Sequence, residues 1–284
     1  MKWPKIKTPE WLEFPLAVRR KMDDDYIGLI AAGIAFYFLL ASFPALAAAV
    51  SLYGLFSDPL FIADQFALLS QFLPAESLRI LENQARTIAS ADSNILSFSF
   101  FISLLLTLYS ATKGIKALIK GFNIAYDQEE RRNFITLQMA TFLLTFILMV
   151  YTLMSLVVVV VVPTIINIFP LPEPLSELAL LLRWPLLFIT ALIGLEILYN
   201  HGPSRDEHQW NWVSPGSFIA TLLWMVVSYL FSLFVSNFGE YNQTYGSLSA
   251  VIILLLWFWL SALMILVGAE INGTRNQMST NKAA

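Results

Sequence analysis

The sequence predicts an all-α, polytopic membrane protein with six transmembrane helices and short amphipathic helices at the N-terminus and in the first outer loop. Two observations lead to this fold class. Of the 284 residues, 57% are hydrophobic and 13% are charged, whereas roughly a quarter of the residues in a soluble domain are charged. Six uncharged stretches are also long enough to cross about 30 Å of hydrocarbon, which requires roughly 20 helical residues. Lipid is therefore expected to cover the apolar surface.

The predicted spans divide the chain into three parts. A cytoplasmic amphipathic arm covers residues 1–25, a six-helix membrane domain covers 26–274 with an outer loop at 57–94, and a cytoplasmic tail covers 275–284. The spans are placed at residues 27–56, 95–111, 134–162, 178–199, 218–238 and 246–269. Six spans put both ends on one side, together with fourteen of the 17 Lys and Arg residues. Because Lys and Arg concentrate in cytoplasmic loops, we predict cytoplasmic N- and C-termini.

Two segments outside the spans have an amphipathic pattern. In the arm, Trp11 and Phe14 are followed by Arg19, a combination typical of a helix lying at the headgroup level. In the outer loop, apolar residues recur at helical spacing after Pro74. This spacing predicts two short helices between residues 58 and 92.

The second span is predicted to continue as a helix into the cytoplasm. Lys113, Lys116 and Lys120 lie there on one helical face. We expect these lysines to orient the chain and to contact anionic lipid headgroups. Membrane lipid is therefore one expected partner, and a small solute or ion is a second. The sequence shows no basic groove with interleaved aromatic residues, so nucleic acid is not an expected partner.

Small residues and one proline indicate how the first span packs. Gly28 and Ala35 have a spacing that lets a neighbouring helix approach closely, which is the usual role of small residues in membranes. Pro44 lies inside the apolar run, where it removes a backbone donor and predicts a kink. Ser42 or a neighbouring helix is expected to satisfy the carbonyl freed near Leu40.

Span five begins with the segment SPG at residues 214–216, a cap residue followed by proline at the first helical position. Along it Ser228, Ser232 and Ser236 recur every four residues. We favour a close helix contact with weak interhelical hydrogen bonds, and a hydrated seam is the alternative. Gly268 in span six is likewise expected to be a packing residue.

Two acids lie within or at the edge of the spans. Glu196 lies about 27 Å along its helix from Leu178, which keeps it inside the hydrocarbon. An ionisable group at that depth is a functional candidate, and structural pairing is an equally weighted alternative. Glu270 lies about 36 Å beyond Gly246, at the headgroup level. It opposes the dipole of a helix expected to end there, so a cation or donors from another helix should hold it. The candidate cations are Arg131, Arg132, Arg275 and Lys113.

The predicted polar site combines these two acids with nearby polar residues of the second loop and has a role in transport or in structure. Its further members are Asn123, Tyr126, Arg131 and Arg132. Other chemistry is sparse, because His201 and His208 form only a weak metal-binding pattern and no catalytic motif is recognisable. We therefore predict no metal site, no cofactor and no enzymatic activity.

Five segments together form a specific pattern: "AAGIAFYFLLASFP", "GIKALIKGFNIAYD", "LYNHGPS", "VSPGSFIATLLW" and "YGSLSAVIILLLWFWLSALMILVGAEIN". In these segments the sequence resembles the YihY/BrkB family of bacterial inner-membrane proteins, and the resemblance covers nearly the whole chain. It implies six helices, cytoplasmic termini and an inner-membrane location. Where the family has a "YRYGPN"-like segment, this chain has "YNHGPS" and lacks the arginine after the tyrosine. Some members formerly carried the name ribonuclease BN.

The preferred function is a permease-like transporter of a small solute. Spans one, four, five and six would surround a path in which Glu196, with Glu270, binds a cation, a proton or an amine-bearing solute. The alternative is a structural or lipid-handling envelope protein, in which both acids are ion-paired and no water-filled cavity reaches the middle of the membrane. The sequence argues against a ribonuclease, because it offers no carboxylate cluster in a soluble domain and no metal-ligand spacing.

Overall fold

The apolar runs of the sequence form long helices. A computed structural model describes residues 10–56, 93–156, 172–205, 213–236 and 247–283. The described residues form seven helices: α1 Glu10–Asp24, α2 Ile27–Phe56, α3 Ser93–Ala125, α4 Phe134–Leu156, α5 Glu173–His201, α6 Pro215–Ser236 and α7 Ser247–Ala283. The two short helices predicted for the first outer loop lie outside the described residues.

Six of these helices, α2 to α7, are long and apolar enough to cross a membrane. All six expose large apolar side chains, among them Phe36, Phe101, Phe142 and Leu248. So much apolar surface is not tolerated in water but is ordinary against lipid. The chain is thus an all-α, multi-pass membrane protein, and α1 is the helix expected in the N-terminal arm.

The described residues fall into two compact units. One lies within Met1–Phe36 and Thr112–Ala284, and the other within Tyr37–Ala111. In the first unit, α7 packs against α6 and α1, and α5 packs against both α4 and α6. Its core contains fully buried apolar side chains from four helices: Ile34, Ile115, Phe122, Leu144 and Leu266.

The second unit contains most of α2 and the first part of α3. Pro44 lies inside α2, which continues without interruption to Phe56. The hydroxyl of Ser42 donates to the carbonyl oxygen of Leu39 at 2.7 Å. A hydroxyl bond of this kind helps a helix to accommodate the donor that proline lacks.

The sixth span corrects one expectation. We expected it to end at residue 269 with Glu270 at the C-terminal end of the dipole, yet α7 continues to Ala283. The helix dipole acts mainly within the last turn. The position of Glu270 therefore does not oppose a helix terminus, and the surroundings of its side chain must be explained by packing.

Candidate functional site

Glu196 lies on α5, and its carboxylate is held by the N-terminus of α6. Only 4% of the residue is exposed. Its Oε2 accepts hydrogen bonds from the Ser214 backbone N–H at 3.0 Å and from the Ser214 hydroxyl at 2.8 Å. Its Oε1 accepts a bond from the Asn200 side-chain amide at 2.9 Å. The carboxylate thus has three neutral donors, and charge-assisted bonds of this kind are strong.

The sequence of α6 explains why this helix end can receive an anion. Pro215 at the start has no N–H, and the side chain of Ser214 accepts a bond from the N–H of Ser217 at 3.2 Å. The N–H of Gly216 donates to the Asn272 side chain of α7 at 2.9 Å. The Ser214 N–H that precedes the first turn has no backbone acceptor within the helix, and this donor and the helix dipole both favour negative charge at this point. Glu196 supplies that charge, and we name Glu196, Asn200, Ser214 and Asn272 the Glu196 site.

Two glycines let α6 and α7 approach at the same place. A Cβ on Gly216 would overlap the Gly268 carbonyl oxygen and lie 2.6 Å from the Asn272 side chain. A Cβ on Gly268 would overlap the Tyr199 hydroxyl and lie 2.7 Å from the Gly216 carbonyl oxygen. The Tyr199 hydroxyl also donates to the carbonyl oxygen of Ile265 at 2.6 Å. Glycine is therefore required sterically at both positions.

The Glu196 site forms one wall of a cavity of about 370 Å³, here called the Glu196 cavity. Ten of its twelve lining residues carry polar side chains, and only Val213 and Pro215 do not. Arg205 and Arg275 bring positive charge to the wall that Glu196 shares. The cavity therefore presents both a buried carboxylate and cationic donors to anything bound in it.

Asn123 and Arg132 join the second loop to the end of α5. The Asn123 side chain donates to Glu130 at 2.9 Å and accepts a bond from the N–H of Ser204 at 2.8 Å. Arg132 pairs with Glu130 through its Nε at 2.7 Å and donates to the Gly202 carbonyl oxygen at 2.9 Å. The hydrogen bond from Arg132 is the main reason why the pKa of Glu130 falls to about 2.

Tyr126 is buried under a cation. The guanidinium carbon of Arg205 lies 3.6 Å from the centre of the Tyr126 ring, which is a close cation–π contact. Burial raises the pKa of Tyr126, and the charge of Arg205 opposes that shift. The backbone N–H of Arg131 donates to the Ser204 hydroxyl at 3.2 Å. The second-loop residues proposed from the sequence therefore lie close together, where the residues after α3 meet the end of α5.

Glu270 lies in a different environment, which we name the Glu270 site and define by Lys21, Asp25, Asp127 and Glu270. The side chain of Glu270 is fully buried, and neither carboxyl oxygen has a hydrogen-bond donor among the described residues. The carboxyl group of Asp25 is its neighbour, and the charges of Asp25, Lys21 and Asp127 act on it. The cation at this site is thus Lys21 of α1, which was not among the four candidates drawn from the sequence.

Lys21 joins α1 to the residues after α3. Its ammonium donates to Asp127 at 2.6 Å and to the Ala125 carbonyl oxygen at 3.0 Å, and it lies 3.8 Å from the Asp25 carboxylate. Burial raises the pKa of Asp25, while the neighbouring Glu270 carboxyl group and the charge of Lys21 oppose the shift. Tyr26 and Asp127 both have positive φ, at 51° and 50°. Two left-handed, non-glycine residues next to one site indicate that the packing holds both turns in place.

The packing residues proposed from the sequence have different surroundings. Ala35 is fully buried, whereas a Cβ on Gly28 would meet no atom of the described residues within 4 Å. The Gly28 carbonyl oxygen instead accepts a bond from the indole N–H of Trp259 at 3.0 Å.

Among the described residues, the serine repeat of α6 does not make the expected interhelical hydrogen bonds. Ser228 and Ser236 donate to carbonyl oxygens of their own helix, at 2.6 and 2.8 Å, and Ser232 and Ser236 are exposed. The buried hydroxyl groups of α6 are those of Ser217 and Thr221, which do not belong to the serine repeat. Hydroxyl groups in lipid can bond within their own helix, so their spacing alone does not locate a helix contact.

The lysines after the second span differ among themselves. Lys116 donates to the Gln138 side chain at 2.6 Å and lies 5.9 Å from the centre of the Phe134 ring, while Lys120 is exposed. Sequence reasoning missed Asn200, Ser214 and Asp25 as neighbours of the two acids. Only the Asn200 contact had a local signal, because it lies four residues after Glu196 on the same helical face.

Comparison with known proteins gives the family. The family model described as "Virulence factor BrkB" matches residues 18–284. The chain belongs to the BrkB family. This membership confirms the resemblance to YihY/BrkB proteins that five segments of the sequence indicated.

Relatives of this BrkB-family protein carry two kinds of name. It is 32% identical over 247 residues to the ribonuclease-like protein YfkH of Bacillus subtilis, which covers 85% of this chain and 87% of that protein. It is 30% identical over 95 residues to a UPF0761 membrane protein of Tolumonas auensis and 35% identical over 94 residues to one of Alteromonas mediterranea. These two matches cover about a third of each chain. No solved structure matches the chain.

Proposed function

We propose that this protein is a permease-like transporter of a small polar solute in the bacterial inner membrane, and that the Glu196 cavity is its solute-binding site. The observation that carries the proposal is the buried carboxylate of Glu196 in the wall of a polar cavity. A volume of about 370 Å³ lies in the range of roughly 300–1,000 Å³ that small-molecule sites occupy. Buried acids in membrane proteins often mark substrate or ion pathways.

The charges of the cavity indicate the solute class. Glu196 can accept from an ammonium group, while Arg205 and Arg275 can donate to a carboxylate. A solute with one amino and one acidic group would use both sets of partners. An amine-bearing zwitterion, such as an amino acid, is therefore the solute class that we propose. The helix N-terminus that holds Glu196 resembles the half-helix ends that bind charged groups in secondary transporters.

Uptake into proteoliposomes tests this proposal. Vesicles containing the purified protein are incubated with radiolabelled amino acids, and saturable uptake above that of protein-free vesicles is expected. Glu196→Gln should abolish the uptake because the carboxylate that receives the ammonium is lost. The matched control is Glu177→Gln, which removes an exposed acid from the same helix. Equal uptake by Glu196→Gln and Glu177→Gln would exclude the proposed role of Glu196.

A second variant distinguishes a loss of solute binding from a loss of folding. Ser279 lines the cavity, is exposed, and bonds only to Asn276 of its own helix among the described residues. Ser279→Trp should block the cavity and stop uptake without breaking any bond of the Glu196 site. A variant that is folded and still transports at the wild-type rate would show that solute does not pass through this cavity.

The orientation of the chain in the membrane can be tested at Ser279 as well. The chain contains no cysteine, so Ser279→Cys introduces a single thiol. We expect a membrane-impermeant maleimide to label it in inverted membrane vesicles and not in intact spheroplasts, because the bias of Lys and Arg predicts a cytoplasmic position. Labelling in intact spheroplasts would place this end of α7 outside the cell.

A structural or lipid-handling role is the second candidate. One observation favours it: both oxygens of Glu196 already accept hydrogen bonds, and the two bonds from Ser214 stabilise the start of α6. If the protein has that role, Glu196→Gln would change the stability of the protein, and neither the wild type nor the variant would take up solute. We propose no enzymatic activity for this chain, and purified protein incubated with labelled RNA and Mg²⁺ is expected to leave the RNA intact. The ribonuclease-like name remains that of the Bacillus subtilis relative.

A further inference from the structure

A second cavity, of about 350 Å³, lies beside the first and is lined by basic side chains on one side and apolar side chains on the other. Its basic wall consists of Arg131, Arg132, Arg205 and His201, and we call it the arginine cavity. Its apolar wall comes from the first turns of α4: Ala140, Leu143 and Leu144. A cavity with two such walls suits a ligand that is anionic at one end and apolar at the other.

The basic wall is preorganised. Arg132 is fixed by its ion pair with Glu130 and its bond to the Gly202 carbonyl oxygen. Arg205 is fixed by its stacking on Tyr126, and its buried Nε has no acceptor among the described residues. Arginine side chains held in this way lose little conformational freedom when they bind a phosphate. The Nε of Arg205 is a donor that such a phosphate could accept from.

The level of the cavity in the membrane follows from the span ends. The apolar span of α4 begins at Phe134, two residues after Arg132, and the span of α5 ends at His201. Both ends therefore lie at the boundary between hydrocarbon and headgroups. Phosphate groups of phospholipids lie at that level, where basic residues attract anionic lipid.

The apolar wall continues onto a surface open to lipid. Leu143 is 56% exposed and Met139 is 69% exposed, and Ile135 and Phe142 on the same helix are also exposed. An acyl chain can therefore lie along α4 while the headgroup occupies the cavity. A free anion such as inorganic phosphate would use only the basic wall and leave the apolar wall without a function.

We propose that the arginine cavity is a binding site for the phosphate headgroup of an anionic phospholipid, whose acyl chain lies along the exposed face of α4. The site is distinct from the lysines after the second span, where lipid contact follows from charge alone. The two sites share Arg205, but Glu196 does not line the arginine cavity, so the lipid proposal can be tested separately from solute binding.

Native mass spectrometry of the full-length protein tests the proposal. The protein is purified in neutral detergent and given an equimolar mixture of phosphatidylglycerol and phosphatidylcholine. Phosphatidylglycerol is expected to be retained in preference to phosphatidylcholine. Arg131→Gln, a change at an exposed residue, should lower that preference by about tenfold, the factor that corresponds to one charge-assisted hydrogen bond.

Two further variants make the result specific. Ala140→Trp should also lower lipid retention, because it fills the apolar wall without changing any charge. Lys120→Gln removes an exposed charge outside the cavity and should leave the preference at the wild-type value. If Lys120→Gln and Arg131→Gln reduce retention equally, binding is non-specific and the proposal is wrong.

An inorganic phosphate arm distinguishes the ligand source. Millimolar phosphate should leave phosphatidylglycerol bound, since phosphate lacks the acyl contact with α4. Full displacement by phosphate would show that the cavity binds a free anion instead, and would overturn the proposal. Glu196→Gln should retain phosphatidylglycerol as the wild type does, so failure of the transport proposal and failure of the lipid proposal give different results.

Discussion

Glu196 and Glu270 are two buried carboxyl groups in apolar helices, yet their environments are opposite. Glu196 accepts three hydrogen bonds from Ser214 and Asn200. Glu270 receives no donor among the described residues and instead lies against a second carboxyl group, that of Asp25. Equal burial therefore does not mean equal stabilisation.

The difference comes from where each acid meets its neighbouring helix. Glu196 faces the first turn of α6, where backbone N–H groups lack partners inside the helix. Glu270 lies in the middle of α7, where every nearby N–H is used within the helix, so only side chains can compensate its burial. The chain brings Lys21 and two acids to that point. The hydrogen bonds of the Glu196 site thus stabilise its acid, whereas the Glu270 site retains an acid that has no donor among the described residues.

The largest expected effect concerns the contact on which the Glu196 site depends. Gly268→Ala places a methyl group 2.7 Å from the Gly216 carbonyl oxygen and against the Tyr199 hydroxyl. Overpacking of this kind costs roughly 1–3 kcal/mol, and more where backbones must separate. We expect a clear fall in melting temperature in detergent. The control is Gly33→Ala, whose Cβ would meet no atom within 4 Å in the part of the chain that the structure describes. Equal melting temperatures for the two variants would contradict the close approach of α6 and α7.

The next effect is the loss of the Glu196 carboxylate. Glu196→Ala leaves the Ser214 and Asn200 donors buried without their acceptor, and the loss of a charged hydrogen-bond partner costs about 1.5–3 kcal/mol. The free energy of unfolding, measured by SDS titration in mixed micelles, should fall by that amount. For Glu196→Gln the free energy of unfolding should fall less, because one acceptor oxygen remains. A Glu196→Ala protein as stable as wild type would mean that these bonds do not support the start of α6.

Glu270→Gln is not expected to lower stability, in contrast to Glu196→Ala. The amide has the shape of the carboxyl group, lacks its charge, and can donate a hydrogen bond to Asp25. We therefore expect an unchanged or higher melting temperature. A fall as large as that of Glu196→Ala would show that the two acids are held in equivalent ways, and the comparison would fail.

The smallest effect is electrostatic and lies at the edge of the Glu196 site. The pKa of Glu130 is lowered from 4.5 to about 2, mainly by its hydrogen bond with Arg132. Because the folded pKa is the lower one, the ion pair stabilises the protein above pH 4.5 and loses that contribution as the pH falls towards 2. The carboxyl ¹³C shift of Glu130 should titrate near pH 2 in the wild type. In Arg132→Ala it should titrate nearer to the ordinary value, and an unchanged midpoint would rule out Arg132 as the cause.

The sequence was sufficient for the helices and insufficient for their contacts. Long apolar runs predicted all six spans, because a helix satisfies every backbone polar group within its own segment in lipid. Glu196 was recognised as an intramembrane acid from its position alone. Its partner Ser214 lies on the next helix, and the partner of Glu270, Asp25, lies at the other end of the chain, so neither contact has a local signal. The serine repeat misled us because each hydroxyl can bond to its own helix.

Arg205 borders both cavities, and this gives the protein a means of thermodynamic coupling. A phosphate that draws this guanidinium to one side changes the field felt by a solute on the other side. Coupling free energies are reciprocal, so a solute that lowers the affinity for lipid must have its own affinity lowered by lipid to the same degree. The anionic lipid content of the membrane would then set the solute affinity through a single side chain.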